Sequence, residues 1–137
     1  MNEPEWLTKD DILVIHEEAI GLFGGSQGIR DEALLESAIM RPQNVFAYEN
    51  GSIFELAATY AEGIAHNHPF IDGNKRTGLG AAGLFLVLNG YALKVQNQKD
   101  LSDMMVDLAE HKVERADVAE FFEKNCEPIV DPLFPAG

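Results

Sequence analysis

The sequence predicts an all-α fold, a compact bundle of about six helices around a buried central helix, with a short flap. Three observations predict it. Apolar residues recur at helical spacing along most of the chain, and these stretches tend to begin at residues that cap helices. Only "YALKV" (residues 91–95) reads as a strand, and a short edge one. The run "LGAAGLFLVLNGY" (79–91) is apolar on nearly every side, the pattern of a helix enclosed by others.

The elements follow in order. Thr8 caps a helix over about residues 9–22, with Asp10 and Asp11 favourable in its first turn and Ile12, Ile15, Ala19, Leu22 and Phe23 on one face. The glycines of "GLFGGSQG" break it. Asp31 caps a second helix carrying Leu34, Leu35, Ala38 and Ile39, which Pro42 ends. "RPQNVFAYENG" mixes apolar residues with turn formers at both ends. It reads as an extended flap or short hairpin whose Val45, Phe46, Ala47 and Tyr48 present an edge to a target segment.

Ser52 with Glu55 forms a capping box for a third helix running to about Asn67 and burying Ile53, Leu56, Ala57, Tyr60, Ala61 and Ile64. A fourth, from Asn74 to Asn89, is the expected central helix. Its Gly78, Gly80 and Gly83 each cost about 1 kcal/mol relative to alanine, which close approach of neighbouring helices would offset. Two amphipathic helices, near 100–111 and 114–124, complete a domain of residues 1–125. The tail 126–137, with its three prolines, is expected to be extended or disordered.

Net charge is −13, from 10 basic and 23 acidic residues. Such a chain repels phosphate backbones and anionic membrane surfaces on average, so neither nucleic acid nor membrane is an expected partner. The longest apolar run is too short to span a bilayer. The N-terminus lacks the basic and apolar regions of a signal peptide, and Cys126, the one cysteine, is read as an idle thiol; both fit a cytoplasmic location.

Against this acidity, residues 66–78, "HNHPFIDGNKRTG", place two adjacent cations at the start of the fourth helix. A helix N-terminus offers unpaired N–H groups and partial positive charge, which suit a phosphate. Gly73 lets a phosphate approach the backbone, Asn74 can cap and donate, Lys75 brings a point charge and Arg76 a forked donor. A carboxylate beside a polyphosphate needs a cation between them, so Asp72 is a candidate Mg²⁺ ligand. His68 is a candidate general base, since neutral imidazole can take a proton from a hydroxyl near neutral pH. Each residue also has a plainer reading. Asp72 would cap the fourth helix, Arg76 would pair with a surface carboxylate, Phe70 anchors the loop in the core, and His66 is structural. The co-occurrence of base, carboxylate, glycine and two cations in one short window favours chemistry.

The window resembles the Fic/Doc motif H-x-F-x-D/E-G/A-N-G/K-R, with His68, Phe70, Asp72, Gly73, Asn74, Lys75 and Arg76 in the fixed places. "TKDDILVIHEEAI", "GGSQG", "FAYENG" and the approach to "HNHPF" extend the likeness to the death-on-curing (Doc) branch over about residues 5–125. The resemblance implies the Fic fold and transfer of a phosphate-containing group from ATP to a protein hydroxyl. It implies His68 as base, Asp72 as Mg²⁺ ligand, and Gly73, Asn74, Lys75 and Arg76 as the phosphate loop. AMP-transferring relatives usually carry glycine where Lys75 stands and a second arginine where Leu79 stands; both differences are Doc-like, whereas Gly73 is Fic-like. The Doc branch implies a toxin kinase that phosphorylates a threonine of elongation factor Tu and stops translation. The family's self-inhibitory spacing S/T-x-x-x-E-G/N is absent, because Thr59 and Glu62-Gly63 are one residue too close. Control would then come from a separate antitoxin whose C-terminal segment folds on binding. An AMP transferase and a catalytically silent binding module are the competing readings.

Overall fold

In the computed structural model, residues 2–130 are described. Six helices follow one another: α1 (Lys9–Phe23), α2 (Glu32–Glu49), α3 (Ile53–Asn67), α4 (Asn74–Leu88), α5 (Gln98–Ala109) and α6 (Arg115–Asn125). A small antiparallel ladder pairs β1 (Tyr91–Leu93) with β2 (Cys126–Pro128), in the register Tyr91 to Pro128 and Leu93 to Cys126. The fold is all-helical apart from that ladder, as the sequence predicts. The remainder of the tail, 131–137, lies outside the described residues.

The predicted caps form. Thr8 and Asp11 close a reciprocal box on α1, the Thr8 N–H donating to Asp11 Oδ2 at 2.8 Å. Asp31 accepts from the Leu34 N–H at 3.0 Å, and Ser52 and Glu55 make the second box. These satisfy amides that a helix start leaves orphaned.

Four expectations are corrected. First, Pro42 does not end the second helix, and Val45–Tyr48 is not an extended flap: α2 runs through both to Glu49. An interior proline costs about 3 kcal/mol. Val45 is buried, Phe46 packs edge-on against Trp6 at 5.7 Å, and Arg41 pairs with Glu62 on α3. Burying side chains of this size stabilises by about 1.5–3 kcal/mol each, enough to carry the helix past the proline. Within a helix these residues have no free main-chain edge to offer a target. Second, Leu22 and Phe23 are 79% and 61% exposed; the buried stripe of α1 is Ile12, His16, Ala19 and Ile20.

Third, the enclosed central helix is α3, which packs against α2, α4, α5 and α6 and buries nine of its residues, Tyr60 among them. Helix α4 lies on it, with Val87 and Leu88 exposed. Fourth, close approach explains only two of the three α4 glycines. A Cβ on Gly78 would stand 3.0 Å from the Ala61 carbonyl oxygen and one on Gly80 2.7 Å from Ile15, but one on Gly83 would meet nothing within 4 Å. The α3–α4 contact thus brings two backbones close together one turn beyond the loop that joins them.

Candidate active site

The loop between α3 and α4 is held from three sides. His68 caps α3 in the left-handed conformation (φ 48°, ψ 55°), its N–H donating to the Ile64 carbonyl at 3.2 Å. Its carbonyl accepts from Arg30 Nε at 2.6 Å, while Arg30 Nη2 donates to the Asn67 carbonyl at 2.8 Å. The imidazole itself is exposed. Phe70 is buried and stacks on His16, with centroids 3.9 Å apart and planes 8° apart. His16 Nε2 donates to the Asp72 carbonyl at 2.8 Å, which puts the His16 proton on that nitrogen.

Asn74 is not the cap of α4. Its side chain is buried and bridges the loop instead: Oδ1 accepts from the Phe70 N–H at 3.0 Å and Nδ2 donates to the Phe70 carbonyl at 2.9 Å. Nδ2 also lies 3.4 Å from His68 Nδ1, too long a contact to fix that ring's tautomer. Asp72 does not cap α4 either. Its Oδ2 accepts from the Ser26 N–H at 2.7 Å, and the carboxylate is otherwise exposed.

Gly73 occupies the cap position, with φ 79° and no side-chain hydrogen bond. A Cβ there would sit 3.1 Å from Ile20 Cδ1 and 3.7 Å from the His16 ring, so both conformation and space call for glycine. The start of α4 therefore keeps its partial positive charge without a side-chain cap.

Lys75 and Arg76 are exposed and, among the described residues, neither forms a salt bridge. The Arg76 guanidinium lies 4.0 Å from the centre of the Phe23 ring instead. Gly73, Asn74, Lys75 and Arg76 line one side of a cavity of ≈ 360 Å³; Leu79 and the α5 residues Ser102, Met105 and Val106 line the rest. The cavity thus has a cationic, donor-rich end and an apolar wall. Among the described residues no cluster of three or more His, Cys, Asp or Glu could hold a metal on protein ligands alone.

A model of the family described as "Fic/DOC family" matches residues 6–86. The chain belongs to the Fic/DOC family. Two curated Fic/DOC relatives extend the likeness. "Protein kinase doc" of Escherichia phage P1 is 35% identical over 115 residues, 83% of this chain and 90% of that protein. "Toxin Doc" of Mycolicibacterium smegmatis is 37% identical over 110 residues, 77% of this chain and 81% of that one.

Of the motif residues, the structure gathers Gly73, Asn74, Lys75 and Arg76 around one cavity and keeps His68 and Asp72 on the loop beside it. Val45–Tyr48 line no part of that cavity. Several supports escaped the sequence reading. Arg30 and Ser26 act from the α1–α2 loop, His16 from the buried stripe of α1, and Ser102, Met105 and Val106 from α5. His16 had a local signal, since it stands four residues from both Ile12 and Ile20. Arg30 had none, being 38 positions from the carbonyl it holds.

Among the described residues, no helix is long and apolar enough to cross a membrane. His66 keeps the structural role expected of it, with Nε2 donating to the Leu108 carbonyl at 2.8 Å.

Proposed function

We propose that this chain is a Doc-like toxin that transfers the terminal phosphate of ATP to a hydroxyl of a target protein. One observation carries the reading. Two cations without carboxylate partners among the described residues share a cavity with a helix N-terminus that no side chain caps. That arrangement suits an anion, and the apolar wall of the cavity suits the nucleoside end of the same ligand. The name "Protein kinase doc" borne by a relative supports the kinase form of the reaction.

In this reading the first α4 amides, Lys75 and Arg76 hold the phosphate oxygens. The target hydroxyl oxygen bonds to the γ-phosphorus, the bond to the bridging oxygen breaks, ADP leaves, and His68 takes the hydroxyl proton. Asp72 fits a Mg²⁺ site made of one carboxylate plus substrate phosphates. Its backbone-held Oδ2 fixes the group while lone pairs remain for a ligand. Bound there, Mg²⁺ would neutralise charge on the phosphates. Lysine at position 75 adds bulk and charge to the cradle, which favours a different phosphate position from that in a glycine loop.

The proposed target is a threonine of elongation factor Tu, and the proposed outcome is arrest of translation in the cytoplasm. The proposed regulator is an antitoxin whose C-terminal segment folds over exposed apolar side chains of α1 and α2, such as Val14, Leu22 and Met40. ATP labelled at the α or γ phosphate, incubated with the protein and purified elongation factor Tu, tests the reading. Only γ label is expected on the target. Transfer of α label would replace phosphorylation with AMP transfer, and transfer of neither would leave a binding module.

A further inference from the structure

We propose that Phe23 is a positioning residue that holds Arg76 ready for a phosphate, an inference that rests on the nucleotide reading of the site. Phe23 is the last residue of α1 and is 61% exposed, so the core does not account for it. What covers its face is the Arg76 guanidinium, 4.0 Å from the ring centre. Arg76 also lines the cavity at the start of α4. A long side chain that must capture an anion loses rotamer freedom when it does so, and holding it beforehand removes that loss. A carboxylate could hold it too, but would neutralise the charge and compete with the phosphate. An aromatic face attracts the cation and leaves its charge and forked donors available.

The same short segment grips the other side of the loop. The Gly24 N–H donates to the Ile20 carbonyl at 2.8 Å and closes α1. Gly25, at φ 115°, passes so near that a Cβ on it would lie 3.1 Å from Asp72 Cβ. The Ser26 N–H then binds Asp72 Oδ2. Residues 23–26 thus touch the cation Arg76 and the carboxylate Asp72, which lie on either side of Gly73 in the chain. The end of α1 acts as a two-point clamp that sets their spacing.

The test compares parent, Phe23→Leu and Phe23→Tyr by ATP affinity, by unfolding temperature, and by the NMR shift of the Arg76 Nε–H, which ring currents move when the group lies over an aromatic face. Leucine keeps an apolar side chain and removes the ring. Phe23→Leu should lose the ring-current shift, keep its unfolding temperature and bind ATP roughly two- to fivefold more weakly. Phe23→Tyr should restore both the shift and the affinity. ATP affinity in Phe23→Leu equal to the parent's would overturn the role while leaving the nucleotide reading intact. So would a failure of tyrosine to rescue, or a fall in unfolding temperature matching the fall in affinity. A parent that binds no ATP would overturn the nucleotide reading itself, and this role with it.

Discussion

Asn74 stands at the first position of α4 yet serves the loop more than the helix, since its amide closes on both polar atoms of the Phe70 backbone. That division of labour leaves the His68 imidazole without a structural hydrogen bond shorter than 3.4 Å and engages Asp72 only through Oδ2, which the Ser26 N–H holds, so both can be tested without dismantling the loop. His68 is in the left-handed conformation, which asparagine tolerates better than alanine, so His68→Asn is the milder probe. It should retain the parent's unfolding temperature while phosphate transfer falls about 10²–10⁴-fold. A well-folded His68→Asn protein with parental activity would remove His68 from the mechanism. For Asp72→Asn, the amide oxygen can still accept from the Ser26 N–H, so the loop should hold. The lost charge should raise the Mg²⁺ concentration needed for half-maximal transfer. An unchanged Mg²⁺ requirement would reduce Asp72 to a structural acceptor.

At the level of elements, the helix starts were legible because capping is local: Thr8, Asp31 and Ser52 each act within three residues of themselves. Pro42 misled for the complementary reason. Its cost is local, but much of what outweighs it is not: Phe46, beside the buried Val45, packs on Trp6 in the segment before α1, and Arg41 pairs with Glu62 on α3. The site divides in the same way. The α3–α4 loop is a contiguous string and could be read, whereas the α5 wall of its cavity and its Arg30 and Ser26 braces depend on tertiary contacts that periodicity does not report. The α4 glycines make a paired prediction. Gly83→Ala meets open space and should stabilise the protein by about 0.5–1 kcal/mol through helix propensity. Gly78→Ala presses a methyl group onto the Ala61 carbonyl and should destabilise it, by about 1–3 kcal/mol. Urea denaturation of the two variants side by side checks both signs, and equal shifts would mean that the α3–α4 contact is looser than described.

Over the whole molecule, acidity and the cationic loop coexist because the net charge of −13 is spread widely while Lys75 and Arg76 act at contact range. A second global property centres on Tyr60 in α3. Its ring is fully buried and its hydroxyl oxygen accepts from the Leu7 N–H at 3.1 Å, fastening the segment before α1 to the core. Burial pushes its pKa from 10.0 up to about 12. The folded state therefore favours the neutral phenol. Its contribution to stability is fully present below about pH 10 and is lost as pH rises toward 12, a change on the order of 2–3 kcal/mol. Tyr60→Phe should flatten that part of the stability–pH curve. At neutral pH it should cost about 1 kcal/mol for the Leu7 N–H left without its acceptor. Unfolding free energies of parent and variant from about pH 9 to about pH 12, a range that runs from below the ordinary value up to the shifted one, check this, and parallel curves would assign the alkaline loss to other groups.

The far end of α4 has a consequence for how the chain can be rewired. There Glu5 exchanges two hydrogen bonds with the Asn89 side chain, and the Ile129 N–H donates to the Gly90 carbonyl. Segments near the two ends of the described residues thus converge on one spot, at the opposite end of a 15-residue helix from Gly73, about 22 Å away at 1.5 Å per residue. A short linker joining residues 5 and 129 would bridge neighbours, so the backbone suits circular permutation. A reporter domain or a surface tether attached near either of these residues would start a helix length away from the loop between α3 and α4.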